Sequence, residues 1–228
     1  MGQDPGIQLE DFTFIATDGV RVPAVRAKPA GRVQAGRVVV FNEIFGLSPW
    51  IRGVVQRLAK EGFRAVSFEL FARQGPARGA DMPALKERAA QLDVAQGLRD
   101  ARSALDQLQP GLDGAIGFCM GGTLALHYAA QNPSTRACVS CYGRPRPDTV
   151  DLVGRIGCPV LGIYGDQDPS IPLEDAERLR AHFPPGSEMA LYEAGHAFLN
   201  DTRKDFYVDE AATLAWAKIQ GYLTRHLG

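Results

Sequence analysis

The chain has 228 residues, of which 45% are hydrophobic and 22% charged, so we expect one globular domain over residues 1–228. The formal net charge of −1 gives no reason to expect nucleic acid or an anionic membrane as a partner. No apolar run approaches the roughly 20 residues that cross a bilayer, and residues 1–10 lack the pattern of a signal peptide. We therefore expect neither nucleic acid nor a membrane as a partner, and a monomer is favoured.

Eight segments are predicted to be strands, and the central ones are nearly continuous apolar runs. Such runs are typical of parallel strands that are buried on both faces. Thr17-Asp18-Gly19 joins the first two segments, which predicts an antiparallel hairpin at the sheet edge. The predicted strands are Phe12–Ala16, Val20–Ala27, Arg37–Phe41, Arg64–Phe68, Gly114–Phe118, Arg136–Tyr142, Val160–Tyr164 and Glu188–Tyr192.

Helix-like segments lie between the strands. Two of them carry an apolar stripe at spacings of three and four residues, and a last helix is predicted from about Asp209 to Leu227. The stripes are Val94, Leu98, Ala101, Leu105 and Leu108 in one segment, and Leu173, Ala176, Leu179 and Phe183 in the other. This alternation predicts an α/β fold with a mostly parallel, twisted, eight-stranded sheet and helices on both faces. Ligands of such sheets bind beyond the carboxyl ends of the strands.

The strand that ends at Phe118 leads into Gly117-Phe118-Cys119-Met120-Gly121-Gly122, followed by a helix-like run to about Gln131. Glycines two residues before and two after Cys119 favour a sharp strand-to-helix turn that lifts the central side chain above the sheet edge. A thiol in that position points to thiolate attack on an acyl carbon. The alternative is a turn that is merely tightly packed.

The other cysteines give no sign of a metal site. Cys138 and Cys141 have C-x-x-C spacing, but no second pair or nearby histidine completes a zinc set. On one strand the two thiols would point to opposite faces. We expect no metal and no cofactor, and cysteines that behave as small hydrophobes in a reducing, cytoplasmic setting.

Two further strand ends carry residues that could act with Cys119. Asp168 follows the strand Val160–Tyr164, and His196 follows Glu188–Tyr192. A histidine can serve as base and then as acid, while an aspartate fixes its tautomer and stabilises its charged form. Each residue also has a structural interpretation. Asp166 and Asp168 are of a type common in turns, and a single histidine in a loop is usually a surface or capping residue. We prefer Asp168 as the acid and expect Asp166 to support the turn.

Cys119, Asp168 and His196 stand in the chain order of the α/β-hydrolase triad, and the chain resembles the dienelactone hydrolase family (carboxymethylenebutenolidases) of that superfamily. The resemblance extends from about Phe12 to Leu223. The matching segments are Asn42-Glu43-Ile44-Phe45-Gly46-Leu47, Leu70-Phe71-Ala72-Arg73-Gln74, Gly117-Phe118-Cys119-Met120-Gly121-Gly122, Gly165-Asp166-Gln167-Asp168 and Ala194-Gly195-His196-Ala197-Phe198.

The resemblance implies a Cys119-His196-Asp168 triad that hydrolyses a small lactone or carboxylic ester through an acyl-thioester. It implies that the backbone N–H groups of Ile44 and Met120 form the oxyanion hole. It also implies that Glu43 hydrogen-bonds the resting thiol and helps to ionise it once substrate binds.

The resemblance further implies a set of substrate-binding residues, namely Arg73, Phe71, Asn200 and Tyr142. Arg73 would bind a substrate carboxylate, unless it is a surface arginine or braces the loop. Asn200 replaces a second carboxylate-binding arginine of the family, and Phe71 replaces a tyrosine. The alternatives are a broader carboxylesterase or thioesterase without anionic preference and a non-catalytic binding protein of the same fold.

Overall fold

The computed structural model describes residues 7–30, 34–76 and 81–228, and the chain forms two compact units divided after Gly111. The prediction of one domain over residues 1–228 stays a prediction. From its composition we expect the Gly-, Ala- and Pro-rich stretch around Arg73 to form a loop over the site, and residues 77–80 of this stretch lie outside the described part. Residues 1–6, which belong to the segment 1–10 that lacks a signal-peptide pattern, lie outside it as well.

The described residues of the first unit form four strands in the order β1-β2-β4-β3 and three helices. The strands are β1 (Leu9–Ile15), β2 (Arg21–Ala27), β3 (Gly36–Phe41) and β4 (Arg64–Phe68), and the helices are α1 (Pro49–Lys60), α2 (Met82–Ala90) and α3 (Val94–Leu105). β1 pairs antiparallel with β2, which confirms the predicted hairpin. β2 is antiparallel to β4, and β3 and β4 are parallel. β3 is buried along its whole length, as its run of valines predicts.

The second unit contains four strands in the order β5-β6-β7-β8, all of them parallel, and four helices. The strands are β5 (Leu112–Phe118), β6 (Thr135–Cys141), β7 (Val160–Gly165) and β8 (Glu188–Tyr192), and the helices are α4 (Met120–Gln131), α5 (Pro147–Val153), α6 (Leu173–Arg180) and α7 (Asp209–Leu227). Cys141 pairs with both Phe118 and Ile163, so the carboxyl ends of three strands are level with one another. The segments that follow these strands therefore emerge at one edge.

The predicted class, a mostly parallel α/β fold with eight strands, is confirmed for the described residues. Two helix boundaries are corrected, because Leu108 and Phe183 were placed on helical stripes but lie beyond the ends of α3 and α6. Pro184 disfavours helical geometry at Phe183, and Pro110 follows Leu108 closely. Leu108 is nevertheless buried.

None of the helices in the described ranges combines the length and the apolar character that a membrane span requires.

Candidate active site

Cys119 lies at a sharp turn between β5 and α4. Its backbone has φ 56° and ψ −119°, a left-handed conformation that L-residues rarely adopt. The chain can close this tightly only without a side chain at Gly117, where an added Cβ would lie 1.9 Å from the carbonyl oxygen of Gly121. The turn is also tied to β6, since the Cys119 N–H donates to the Cys141 carbonyl at 3.0 Å. The predicted strand-turn-helix geometry around Cys119 is therefore present.

A methyl group at position 117 should destabilise this turn. Because Gly117→Ala would clash with backbone rather than with a movable side chain, we expect it to lower the free energy of unfolding by more than about 2 kcal/mol. Gly221→Ala is the matched control, since its added Cβ meets no atom within 4 Å and the residue lies within helix α7. That control should be neutral or stabilising by up to about 1 kcal/mol. Equal unfolding midpoints of the two variants in urea would contradict the steric argument.

His196 lies within hydrogen-bonding distance of both other members of the predicted triad. Its Nε2 is 3.1 Å from the Cys119 Sγ, and its Nδ1 is 2.6 Å from the Asp168 Oδ2. A carboxylate oxygen can only accept, so Nδ1 carries a proton and Nε2 is the atom that can take one from the thiol. Asp166 is exposed, whereas Asp168 is buried. The two distances show that the structure brings together the three residues that the sequence placed after separate strands.

The loops that follow β7 and β8 hold Asp168 and His196 in place. The Gln167 N–H donates to the Ala194 carbonyl at 3.0 Å, and the Ser170 N–H donates to Asp168 Oδ1 at 2.7 Å. The loops approach so closely that a Cβ on Gly165 would lie 2.1 Å from the Ala194 oxygen. The Ser170 N–H thus fixes Oδ1 of Asp168, and the other carboxylate oxygen, Oδ2, faces the imidazole.

The site stabilises the charged form of His196 once Nε2 has taken a proton. Burial by itself lowers the pKa of the imidazole, but the hydrogen bonds to Asp168 and Cys119 outweigh it and raise the pKa from 6.5 to about 10. Asp168 contributes as the acceptor at Nδ1, and its side chain is only 1% exposed. An imidazole that holds a proton this strongly can stabilise a thiolate beside it.

Tyr142 packs against the histidine. Its ring centroid is 5.2 Å from that of His196 and 5.9 Å from that of Phe198, both in edge-on geometry. Tyr142 is fully buried, with φ 39°. These contacts fix the plane of the imidazole, and the predicted contact of Tyr142 with substrate stays a prediction.

Met120 and Asn200 complete the predicted residues of the second unit. Met120 is the first residue of α4, a position whose N–H has no acceptor within the helix and which lies at the positive end of the helix dipole. Asn200 is buried, and its Oδ1 accepts from the backbone N–H and the hydroxyl of Thr202 at 3.1 and 2.6 Å. Asn200 therefore supports its own turn, and its role toward substrate stays a prediction.

In the first unit, Glu43 and Ile44 lie in a turn that follows β3. The Gly46 N–H donates to the Glu43 carbonyl at 3.1 Å, which closes the turn, and the Glu43 residue is only 1% exposed. Glu69 fastens the end of the turn, because its carboxylate accepts from the backbone N–H groups of Leu47 and Phe71 at 3.1 and 3.0 Å. The predicted roles of Glu43 and Ile44 stay predictions, while the backbone that carries them is firmly held.

Arg73 is held between two carboxylates. Its Nε and Nη2 donate to Asp18 at 2.7 and 2.9 Å, and its Nη1 and Nη2 donate to Asp100 at 2.5 and 3.1 Å. The Asp100 side chain is completely buried. The hydrogen bond from Arg73 holds the pKa of Asp18 at about 2, and the two carboxylates raise the pKa of the guanidinium. These contacts favour the interpretation in which Arg73 braces its loop.

Phe71 is fully buried, and the guanidinium of Arg88 lies over its ring with Cζ 4.0 Å from the centroid. Sequence reasoning missed Arg88 and Glu69. Glu69 directly follows β4, so its place at a strand end was a usable signal. Arg88 lies within a short helix, and its sequence position gave no signal of a functional role.

In the described ranges, no group of three or more His, Cys, Asp or Glu residues is arranged to hold a metal ion.

Comparisons with known proteins identify the family of the chain. The model of the dienelactone hydrolase family matches residues 22–227. A protein of Salmonella typhimurium that bears the provisional name carboxymethylenebutenolidase is 34% identical over 237 aligned residues, which cover 95% of this chain and 87% of that protein.

Solved structures show the same fold. A protein of Klebsiella pneumoniae, provisionally named a dienelactone hydrolase, matches with a TM-score of 0.87 and 31% identity, covering 96% of this chain and 99% of that one. A dienelactone hydrolase-like promiscuous phosphotriesterase from metagenomic libraries has a TM-score of 0.82 and 26% identity, covering 98% and 100%. The predicted α/β-hydrolase class is therefore confirmed, and the chain belongs to the dienelactone hydrolase family, whose members are lactone and ester hydrolases of the carboxymethylenebutenolidase type.

Proposed function

We propose that the protein hydrolyses small lactones or carboxylic esters with Cys119 as nucleophile, His196 as base and Asp168 as the residue that orients the base. The observation that carries the proposal is the unbroken contact line from the Cys119 Sγ through both ring nitrogens of His196 to the Asp168 carboxylate, at 3.1 and 2.6 Å. Family membership supports the reaction class. The test is hydrolysis of a panel of small lactones and esters, followed by pH-stat, with the wild type and with Cys119→Ala.

In the first half of the reaction the thiol proton passes to His196 Nε2, and the sulfur attacks the carbonyl carbon. The C–O π electrons move to the carbonyl oxygen, which becomes an oxyanion. Collapse of this intermediate breaks the bond to the leaving alkoxide, which takes the proton from Nε2 and leaves an acyl-thioester on Cys119. In the second half His196 Nε2 removes a proton from water, and the resulting hydroxide adds to the acyl carbon. Collapse of this second intermediate breaks the C–S bond and releases the acid, and the proton on Nε2 returns to the thiolate.

The oxyanion is proposed to accept from the backbone N–H groups of Ile44 and Met120. The position of Met120 at the start of α4 supports this, because a helix N-terminus presents N–H groups and a positive partial charge. The buried Glu43 is proposed to accept from the resting thiol and to assist its ionisation when substrate arrives. A carboxylate in that position opposes early thiolate formation, which delays nucleophile activation until binding.

Two candidate functions differ in the charge of the substrate that they require. The resemblance favours a carboxylate-bearing lactone bound by Arg73, whereas the four hydrogen bonds from Arg73 to Asp18 and Asp100 favour a broader carboxylesterase or thioesterase without anionic preference. A guanidinium already committed to two carboxylates has little capacity for a third. The contacts therefore support the second candidate.

Arg73→Ala decides between these functions. We expect kcat/KM to fall by the same factor, within about threefold, for matched carboxylate-bearing and neutral esters. We also expect a loss of about 2 kcal/mol in unfolding free energy, since the buried Asp100 loses a partner while Arg73 is itself one-fifth exposed. The control is Arg52→Ala, which removes an exposed bidentate pair with Asp11 and should leave both substrates unaffected. An additional loss of roughly 2–4 kcal/mol confined to the charged substrate would restore Arg73 as the carboxylate anchor.

We propose a reducing, cytoplasmic setting for the protein. All four are free thiols, and three of them are buried, which supports the predicted reducing, cytoplasmic environment.

A further inference from the structure

We propose that Arg88 is a positioning residue that sets the direction of the Ile44 N–H and thereby tunes the oxyanion hole; the inference rests on the proposed function. Arg88 lies on α2, and its Nη2 donates to the Ile44 carbonyl oxygen at 2.9 Å. Its Nη1 reaches the Gly75 carbonyl at 3.5 Å, and its Cζ lies 4.0 Å from the centroid of the Phe71 ring. One side chain thus connects α2, the turn after β3 and the segment after β4.

The turn has two peptide planes that matter for Ile44. The Glu43 carbonyl accepts from the Gly46 N–H at 3.1 Å, and in a trans peptide the following N–H, that of Ile44, points the opposite way. The next plane carries the Ile44 carbonyl, which Arg88 holds. With both carbonyls fixed, the backbone dihedrals of Ile44 have little freedom, and its N–H is kept in one direction.

Arginine suits this role because its planar fork offers parallel donors to more than one carbonyl while its face stacks on an aromatic ring. Hydrogen bonds from an ionised donor are stronger than neutral ones. Lysine could supply the charge and a single donor, but neither the fork nor the stacking. The rest of the turn stays fastened without Arg88, because Glu69 accepts from the Leu47 N–H independently. A truncated Arg88 should therefore loosen Ile44 without unfolding the turn.

The test compares Arg88→Met with Lys86→Met, an exposed residue of the same helix. We expect Arg88→Met to lower kcat by about 10- to 100-fold, below the full cost of deleting an oxyanion donor, with KM changed by less than about threefold. Arg88→Lys should give an intermediate kcat, and Lys86→Met should match the wild type. A kcat of Arg88→Met and Arg88→Lys equal to that of the wild type would overturn the proposal.

Alkylation of Cys119 by iodoacetamide separates positioning of the oxyanion hole from general damage. This displacement at a saturated carbon generates no oxyanion, so its rate in Arg88→Met should stay within about twofold of the wild-type rate while ester turnover falls. A parallel loss in alkylation would overturn the role through Ile44. Failure of the proposed function would look different, since wild type and Cys119→Ala would then hydrolyse the same ester panel equally.

Discussion

Cys119→Ala is expected to lower kcat for every ester and lactone that the wild type hydrolyses by at least about 10³-fold, while the fold stays intact. Removal of a nucleophile leaves only the catalysis that binding and an oxyanion hole provide. The side chain of alanine is smaller than that of cysteine, and alanine can take the same backbone conformation. The turn between β5 and α4 should therefore stay intact. Initial rates by pH-stat measure the loss of kcat, and the far-ultraviolet circular dichroism spectrum shows whether the fold is intact.

Cys158→Ala is the matched control for loss of a thiol. Cys158 is buried, and desolvation raises the pKa of its thiol to about 11, which makes it a poor nucleophile. Its variant should keep wild-type kcat with a small loss of stability. Turnover by a folded Cys119→Ala variant at the wild-type rate would remove the cysteine mechanism and leave the family-level hydrolase without an assigned nucleophile.

The second unit was largely predictable from local pattern. Glycines on both sides of Cys119 predict a turn in which the backbone nearly touches itself, and the structure has Gly117 packed against Gly121 in that way. Parallel strands bring their carboxyl ends to one edge, so the sequence order of Cys119, Asp168 and His196 was enough to predict their proximity. Tight turns and residues at strand ends can be recognised from short stretches of sequence.

The surroundings of Arg73 were not predictable in the same way. Its partners Asp18 and Asp100 are 55 and 27 residues away, one in the hairpin turn and the other on α3. No spacing rule connects a hairpin turn with a helix face, because their proximity depends on how the elements pack. The motif Ala72-Arg73-Gln74 predicted a charged loop, but only the packed structure shows which carboxylates occupy the guanidinium. Arg88 was missed for the same reason.

Asp168→Asn should reduce kcat by about 10³- to 10⁴-fold because it removes the acceptor that sets the tautomer of His196. An amide oriented to place its NH₂ at Nδ1 requires Nδ1 to accept, which puts the ring proton on Nε2, facing the thiol. Nε2 can then no longer take the proton of Cys119. A loss of this size follows the same substitution in serine-protease triads. Asp166→Asn is the control, since Asp166 is exposed, and it should stay within about twofold of the wild type.

The same substitution makes a prediction about stability and pH. The folded-state pKa of His196 is raised from 6.5 to about 10, so its protonated form stabilises the fold fully below pH 6.5, and this contribution is lost as the pH rises toward 10. Asp168→Asn removes one of the contacts that raise this pKa. The difference in unfolding free energy between wild type and Asp168→Asn should therefore be larger at pH 6 than at pH 9.5, as urea titrations at the two pH values can show. If the difference grows with pH, or if Asp166→Asn proves the more damaging of the two for kcat, then Asp168 does not act on the histidine and Asp166 becomes the candidate acid.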